Sequence, residues 1–590
     1  MAAGDNESYV DDTWTQVADD STWILSSAFM ILTMQTGFAL LESGFSAPKN
    51  VTNVSMKNVV DVIVGGIGFW ICGYAFAFGE GNSFMGMTGF LLEPGHTAIA
   101  GQEYASFLFH FAFCSTAVTI VSGGIAGRMK FQCYSVFAFF FAIFYGFSAH
   151  WVWGPDGFLG TLGFYDFAGC GPVHLFGGTG ALVGAYLLGP RIGRFNEDGS
   201  RGTILPVYNT LLVSRGFLTI WWGWIGFNCG STFGSQGIKG TVACRVGAVT
   251  VVSACGGGLV TLVKVLYPEQ IMKAYFEKTD DDILSTGRRQ TVTERAIGLL
   301  RIDSTSIRVE DIANSVLSAL VAITGGCSCV NVRASFIIGL FSPVVTSYCQ
   351  GLLERFRIDD PVGAVGVHGA GGIYGLLCIA LFADPSLPGA KEYMPNLELG
   401  LFLGGPFKSF GVQLAGVVTI LAWGLATSFA IFHFTAQIYN GNRVSQQIEM
   451  EGLDAHEHDY DLLISKEKIL VGATAIANAV EEKYKKQRDA DKDIEAQQAE
   501  HLELRAIYQE KDEVSANDQS NPMPSSIAND EKDEGKSSRD TVSPIHARKS
   551  LGIPSVIGNR KTSILVHDSS SSPNQIADER NDGSKGSHFM

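Results

Sequence analysis

A succession of apolar stretches, each near 20 residues long, occupies the chain from Ser21 to Phe434. An α-helix needs about 20 mostly apolar residues to cross the hydrocarbon core of a bilayer. Hydrophobic residues make up 46% of the chain and charged residues only 17%, and the charged residues concentrate after Phe434. The sequence therefore predicts an all-α polytopic membrane protein followed by a charged, soluble tail.

The apolar stretches give eleven candidate transmembrane helices. They lie near residues 22–44, 57–79, 104–126, 132–152, 170–189, 211–231, 242–266, 312–330, 333–354, 362–382 and 408–435. The predicted organisation follows from these limits. It comprises an extracellular segment (1–21), the transmembrane domain (22–435), a cytoplasmic regulatory segment (436–465) and a charged, largely disordered tail (466–590).

The distribution of basic residues sets the orientation in the membrane. With eleven spans, all eight Lys and Arg residues before residue 236 fall on one side of the membrane. The loops on the other side, over the same part of the chain, carry acidic residues and no Lys or Arg. Cytoplasmic loops are enriched in Lys and Arg. The pattern therefore predicts an extracellular N-terminus and a cytoplasmic C-terminus. The basic residues concerned are Lys49, Lys57, Arg128, Lys130, Arg191, Arg194, Arg201 and Arg215.

Two matching segments nearly 200 residues apart, at 166–174 and 360–368, each begin with an aspartate and end with a histidine. In both, a Gly-rich apolar stretch follows the histidine, so His174 and His368 lie early in the fifth and tenth spans. Ionisable residues inside membrane spans are costly and usually face a pathway. Two of them in corresponding positions indicate a transporter built from a repeat, with its site at the repeat interface.

The repeat has a definite orientation. Spans one to five and six to ten form two halves of five helices, and because five is odd the second half must be inverted relative to the first. The sequence therefore predicts a five-plus-five inverted repeat, with the eleventh span outside it. His174 and His368 then reach similar depths from opposite sides.

The chemistry of a facing histidine pair suits a small polar guest. A neutral imidazole offers one hydrogen-bond donor and one acceptor, and its unperturbed pKa lies near 6.5. A lone histidine in an apolar helix is usually a core residue, but two at equivalent positions favour function. Such a pair can relay protons or hydrogen-bond a small neutral molecule.

Aromatic residues and an acid surround the expected outer end of the pore. Phe113, Trp153 and Phe227 have two interpretations, an ordinary interfacial belt or a vestibule whose rings hold a small cation. In the second, the Ser231 hydroxyl accepts a hydrogen bond from the cation. Asp166 is either a direct cation ligand or a structural acceptor for backbone donors, and the neighbouring Pro and Gly favour the structural role.

Several segments resemble the ammonium transporter (Amt/Mep) family, to which the Rhesus glycoproteins are more distantly similar. The resemblance covers roughly residues 22–460 with order and spacing kept, and it implies a homotrimer of eleven-helix subunits, each with its own pore. The segments that carry it lie at 35–44, 49–58, 166–174, 223–231, 359–369 and 443–454.

The resemblance also implies roles for individual residues. Those roles are an external ammonium-recruitment site (Phe113, Trp153, Ser231), a stacked phenyl gate (Phe113, Phe227), pore-lining residues (His174, His368, Trp224) and a structural carboxylate (Asp166).

We therefore expect an ammonium transporter of the plasma membrane that binds ammonium outside, deprotonates it near the gate and conducts ammonia past the histidines. Transport with or without the proton is compatible with these residues. The alternatives are an ammonium sensor signalling through the tail and a Rhesus-like neutral ammonia channel, which Trp153 and Ser231 disfavour. No nucleophile–base set or phosphate loop points to an enzyme. No metal, cofactor or nucleic acid is expected. The expected partners are ammonium or ammonia, membrane lipid and further copies of the chain.

Overall fold

The computed structural model describes residues 4–93, 100–202, 207–266, 308–460 and 466–517. Regular structure in these ranges is helical, without strands. The chain divides into two compact units, Met1–Glu481 and Glu482–Met590. Most of the loop predicted at 267–311, and the tail beyond residue 517, lie outside the described residues.

Among the described residues of the first unit, eleven long helices follow one another, labelled α1 to α11. Within the described ranges, eight of them (all except α5, α6 and α8) are long and apolar enough to cross a membrane. The predicted all-α membrane fold is thereby confirmed. The helices are α1 Gly4–Phe45, α2 Pro48–Phe78, α3 Ala100–Ile125, α4 Phe131–Trp153, α5 (170–188), α6 Thr210–Gly230, α7 Ile238–Leu266, α8 Val309–Thr324, α9 Val332–Arg355, α10 Val365–Phe382 and α11 Phe407–Ile438.

The first two helices begin earlier than the predicted spans. We expected helix starts near residues 22 and 57, but α1 begins at Gly4 and α2 at Pro48. In both cases the extra turns carry polar or charged residues, which the apolar pattern does not detect. The first turns of α2 are stabilised by contacts with the C-terminal segment instead.

The two halves pack in the same pattern. Helix α1 packs on α3 as α6 packs on α8, and α2 packs on α4 as α7 packs on α9. Likewise α3 contacts α5, and α8 contacts α10. The extensive contact of α1 with α6 joins the halves, and a Cβ added at Gly216 would lie only 2.4 Å from the Leu41 nitrogen. Small residues of this kind allow close helix approach in membranes.

The C-terminal segment docks on the start of α2 through two short helices, Gln446–Glu451 and Leu453–His458. The Asp454 carboxylate accepts hydrogen bonds from the Thr52 and Asn53 backbone nitrogens at 3.0 and 2.7 Å. The first backbone N–H groups of a helix have no partner within it, and a negative charge there is favourable. Asp454 therefore caps α2 from the distant end of the transmembrane domain.

Basic residues that were predicted to share one face converge on a buried aspartate, Asp359, in the loop between α9 and α10. The Arg191 side chain donates to both Asp359 oxygens at 2.7 and 3.0 Å, and Arg194 Nε donates at 3.2 Å. Arg128 donates to the Asp359 carbonyl oxygen at 2.7 Å. Burial alone would raise the pKa of Asp359, but the neighbouring arginines, Arg191 foremost, outweigh it and hold the pKa below its ordinary value.

We expect Asp359→Asn to destabilise the transmembrane domain at neutral pH by about 3–5 kcal/mol, because it leaves mostly buried arginines without their counter-charge. The pKa of Asp359 is lower in the fold than its value of about 3.9 in an unfolded chain, so this stabilisation is present above that value and is lost as the pH falls below it. Thermal unfolding of the detergent-purified protein at pH 7 and at acid pH tests this. Asp198→Asn, at an exposed aspartate of the loop between α5 and α6, is the control, and equal unfolding midpoints of wild type and Asp359→Asn at pH 7 would contradict the assignment.

A further helix, α12, spans Lys466–Asn517, 52 residues. Its composition is rich in Glu, Lys, Ala and Gln, which are good helix formers. Residues 482–507 are exposed throughout. The first part of the predicted tail is therefore helical.

Candidate pore and outer vestibule

A cavity of about 510 Å3 lies beside the ends of α3, α4 and α6. Its wall brings together Phe113, Trp153 and Ser231, the three residues that the sequence assigned to one external site. Asp166 lines the same cavity. Phe113, Trp153 and Ser231 thus come from α3, α4 and the end of α6, and Asp166 comes from the loop after α4.

Trp153 is held in place by its surroundings. Its indole Nε1 donates a hydrogen bond to the Asp166 carbonyl oxygen at 2.8 Å. Gly169 has a φ of +96°, and a Cβ there would lie 3.1 Å from the indole ring, so only glycine fits without strain. The ring centroids of Trp153 and Phe113 are 6.2 Å apart at 60°. The two rings thus lie edge to face, and both line the cavity, where aromatic rings can attract a small cation.

Ser231 supplies a polar group at the C-terminal end of α6. Its hydroxyl donates to the Phe227 carbonyl oxygen at 2.9 Å, which leaves the oxygen lone pairs free to accept. The residue is only 5% exposed and lines the cavity. A cation in the cavity would therefore find a preoriented acceptor in the Ser231 oxygen.

Phe113 and Phe227 lie between the cavity and the histidines. Their rings stack almost parallel, with centroids 3.8 Å apart and an interplanar angle of 8°. Both side chains are fully buried. The second ring, Phe227, lies 5.6 Å from the His174 ring. The stacked pair therefore lies between the cavity and the histidines and separates the two.

His174 and His368 meet directly. Their Nδ1 atoms are 3.3 Å apart, and their rings lie 5.3 Å apart at 24°. Because one nitrogen must donate and the other accept, the pair shares one proton, as inferred from the hydrogen bond itself. Trp224 stacks on His174 at 4.9 Å, and its Nε1 donates to Thr324 Oγ1 at 2.9 Å.

Local backbone structure brings the histidines together. Each lies in a π-helical turn, Cys170–Leu175 in α5 and Val365–Ala370 in α10, a feature frequent at functional sites. The two helices cross in close contact, since a Cβ at Gly178 would lie 2.3 Å from the Gly369 nitrogen. A side chain at this crossing would separate the pair.

The aspartates of the two matching segments occupy equivalent positions. The Asp166 carboxylate accepts from the backbone nitrogens of residues 169, 170 and 171 at 2.9, 3.0 and 2.6 Å. Asp360 accepts from the nitrogens of Ala364 and Val365 at 3.0 and 2.9 Å. Each carboxylate thus satisfies the unpaired donors at the start of a π-helical turn. This geometry favours the structural interpretation of Asp166.

The structure adds two candidate functional residues that the sequence analysis did not name, Glu42 and His110. Glu42 borders a small cavity of about 20 Å3 that His368 also lines, and its carboxylate accepts from Ser122 at 2.6 and 2.7 Å. His110 lines the outer cavity. Both are ionisable residues inside apolar spans, and that signal alone would have found them.

The comparisons with known proteins agree with this architecture. The model of the Ammonium Transporter Family matches residues 22–270 and 294–461. The chain therefore belongs to the ammonium transporter family, whose members are multi-pass membrane transporters rather than enzymes. The resemblance drawn from the sequence is confirmed.

Individual relatives give the extent of the similarity. "Putative ammonium transporter 3" of Caenorhabditis elegans is 34% identical over 454 residues, which cover 75% of this chain and 60% of the relative. "Ammonium transporter Amt2" of Archaeoglobus fulgidus is 35% identical over 456 residues, 74% of this chain and 87% of the relative. The solved structure "Sensor Amt Protein" superposes with a TM-score of 0.61 at 29% identity, covering 75% of this chain and 99% of its own. Candida albicans Mep2, at 24% identity, 73% and 87% coverage and a TM-score of 0.58, shares the fold.

Proposed function

We propose that this chain is an ammonium transporter that takes ammonium from an outer aromatic site, removes a proton at the phenyl gate and conducts ammonia past a histidine pair. One observation carries the proposal. The stacked rings of Phe113 and Phe227 separate a cavity suited to a cation from a buried pair of neutral hydrogen-bonding rings.

Recruitment uses the charge of ammonium. The faces of Trp153 and Phe113 attract the cation, and the Ser231 oxygen accepts one of its N–H groups. Asp166 adds negative potential without binding the ion, because backbone donors already occupy its oxygens. Ammonium is thus held at the outer side of the gate.

Conduction requires the neutral form. A charged ion loses its hydration beyond the stacked rings, where burying an unpaired charge is costly, whereas ammonia can exchange hydrogen bonds with His174 and His368. Potassium cannot lose a proton and is excluded by the same barrier. The shared proton of the histidine pair also offers a route by which the released proton follows.

We expect Trp153→Leu to raise the apparent KM for radiolabelled methylammonium uptake by roughly 3- to 30-fold. The reason is that the variant loses one cation–π contact, which contributes about 0.5–2 kcal/mol. Ser231→Ala should raise it less, since the rings remain. Uptake is measured in cells that lack their own ammonium transport. Trp222→Leu is the matched control, because Trp222 is 57% exposed on the outside of α6. Equal KM values for all four proteins would remove the outer site from the proposal.

The proposal includes placement and assembly. The chain is a homotrimer of the plasma membrane, with residues 1–21 outside, the transmembrane domain over 22–435, and the regulatory segment 436–465 and tail 466–590 in the cytoplasm. The one-sided distribution of basic residues supports the orientation. Accessibility of an N-terminal epitope on intact cells tests it, and the mass of the detergent-purified oligomer tests the trimer; an inaccessible epitope or a monomeric mass would refute the respective part.

A second function, an ammonium sensor that signals through its tail, is favoured by one comparison and one element. A solved structure that shares 29% identity is named "Sensor Amt Protein", and the tail contains the long helix α12. We expect deletion of residues 466–590 to leave methylammonium uptake within about twofold of wild type, because the docked segment 446–458 and its cap on α2 remain. Loss of a cellular ammonium response with no uptake by the full chain would instead establish the sensor.

A further inference from the structure

His110 lies on α3 one turn before the gate residue Phe113, and its ring is enclosed by aromatic rings. Its centroid is 4.0 Å from that of Phe78, 5.4 Å from Phe233 and 5.8 Å from Trp153. The residue is only 5% exposed and lines the outer cavity. A titratable ring therefore forms part of a cavity wall that contains both aromatic and polar residues.

The His110 ring makes no hydrogen bond to another described residue. Its Nδ1 is buried and has no hydrogen-bond partner among the described residues. By contrast, both ring nitrogens of His150, on the neighbouring helix, contact backbone carbonyl oxygens at 3.0 and 2.7 Å. Buried polar groups are nearly always hydrogen-bonded. The other ring nitrogen, Nε2, also has no hydrogen bond among the described residues, but unlike Nδ1 it is not buried, so it is open at the cavity wall. An unpaired nitrogen in that position indicates a ligand.

The surroundings define the chemistry of that ligand. Aromatic faces favour a small cation, while a neutral imidazole nitrogen that is not protonated accepts a hydrogen bond. A small cation that carries N–H groups can both bind the aromatic faces and donate a hydrogen bond to the imidazole nitrogen. Among the oxygen groups that line the cavity, the Asp166 carboxylate is occupied by backbone donors, whereas the Ser231 lone pairs remain available.

We propose that His110 is an additional binding residue of the outer site, which accepts a hydrogen bond from ammonium and so favours it over potassium. This inference rests on the proposed transport function. His110 and Ser231 then accept two of the four N–H groups of the cation, and the rings of Trp153 and Phe113 contact the rest. Potassium has no hydrogen to donate, so it gains only the attraction of the rings.

Two substitutions test the hydrogen-bond acceptor and the aromatic ring of His110 separately. His110→Phe keeps an aromatic ring but removes the acceptor, and His110→Gln keeps an acceptor but removes the ring. We expect His110→Phe to raise the KM for methylammonium about tenfold or more, as for the loss of a hydrogen bond to a charged group, with Vmax nearly unchanged. Potassium should also inhibit uptake by His110→Phe more strongly than uptake by wild type. His110→Gln should restore KM to within about threefold of wild type.

The control is His433→Phe, the same change at an exposed position of α11, and surface labelling corrects for expression. If His110→Phe does not reach the surface, His110→Met supplies an acceptor-free side chain of adaptable shape. Unchanged KM in the acceptor-free variant, or equal defects in it and in His110→Gln, would show that His110 only packs. Absence of saturable uptake by the wild-type chain would instead refute the proposed function itself.

Discussion

Methylammonium uptake by purified protein in liposomes is expected to fall by roughly 10- to 100-fold when His174 and His368 are both replaced by leucine, since a hydrogen bond left unmade in a dry site costs about 1–3 kcal/mol. The two imidazoles are buried and their Nδ1 atoms are 3.3 Å apart, with Trp224 and Phe227 stacked on His174. Leucine fills a similar space without a polar atom, so the guest would pass this buried position without a hydrogen-bond partner.

The double glutamine variant is the matched control. Glutamine donates and accepts hydrogen bonds but does not take up a proton near neutral pH. We therefore expect it to retain more uptake than the leucine variant, and to lose any current that depends on proton transfer along the pair. Uptake by the leucine variant at the wild-type rate, with equal amounts of protein inserted, would show that the guest does not pass between these histidines.

Asp166→Ala is expected to lower the free energy of unfolding by about 3 kcal/mol or more, because three buried N–H groups lose their acceptor at about 1 kcal/mol or more each. The loop that they anchor also carries the carbonyl oxygen bonded to Trp153, so the outer site should be disordered and uptake lost. Asp166→Asn keeps one acceptor oxygen but places an NH2 group against a backbone donor, and its effect should be intermediate. Chemical denaturation in detergent measures all three proteins.

The repeat provides an internal comparison for Asp166. Asp360→Ala removes the acceptor of two backbone N–H groups and of the Gln350 amide, so it should also destabilise the protein, but without disturbing Trp153. If Asp166→Asn instead raised the KM for methylammonium with no loss of stability, the carboxylate would be a direct cation ligand, and the structural interpretation would be wrong.

The sequence predicted the parts of this molecule that depend on periodic apolar residues and on repeated motifs. The apolar spans define the helices, because crossing a bilayer requires a fixed length of apolar helix. The spacing of aspartate and histidine in two segments predicted that His174 and His368 would correspond, and the structure brings them into contact. The roles of the site residues remain predictions.

Other features depend on tertiary contacts that no local pattern records. The early start of α2 follows from its cap by Asp454, which lies at the far end of the domain. The contact of the two histidines requires the close approach of α5 and α10 at Gly178 and Gly369. His110 is recognisable in the sequence as an ionisable residue within an apolar, aromatic stretch, but its unpaired nitrogen and the cavity beside it exist only in the fold.

The most direct test of the central claim compares ammonium with potassium under voltage clamp, with methylammonium uptake recorded in the same cells. A pore that strips a proton at stacked rings before a neutral passage predicts saturable, ammonium-dependent uptake and no potassium current at equal concentration. Current accompanying uptake would mean that the proton follows along the histidines. A potassium current comparable to that of ammonium, abolished with the double histidine substitution, would contradict the account, because it would show that an intact ion crosses the gate.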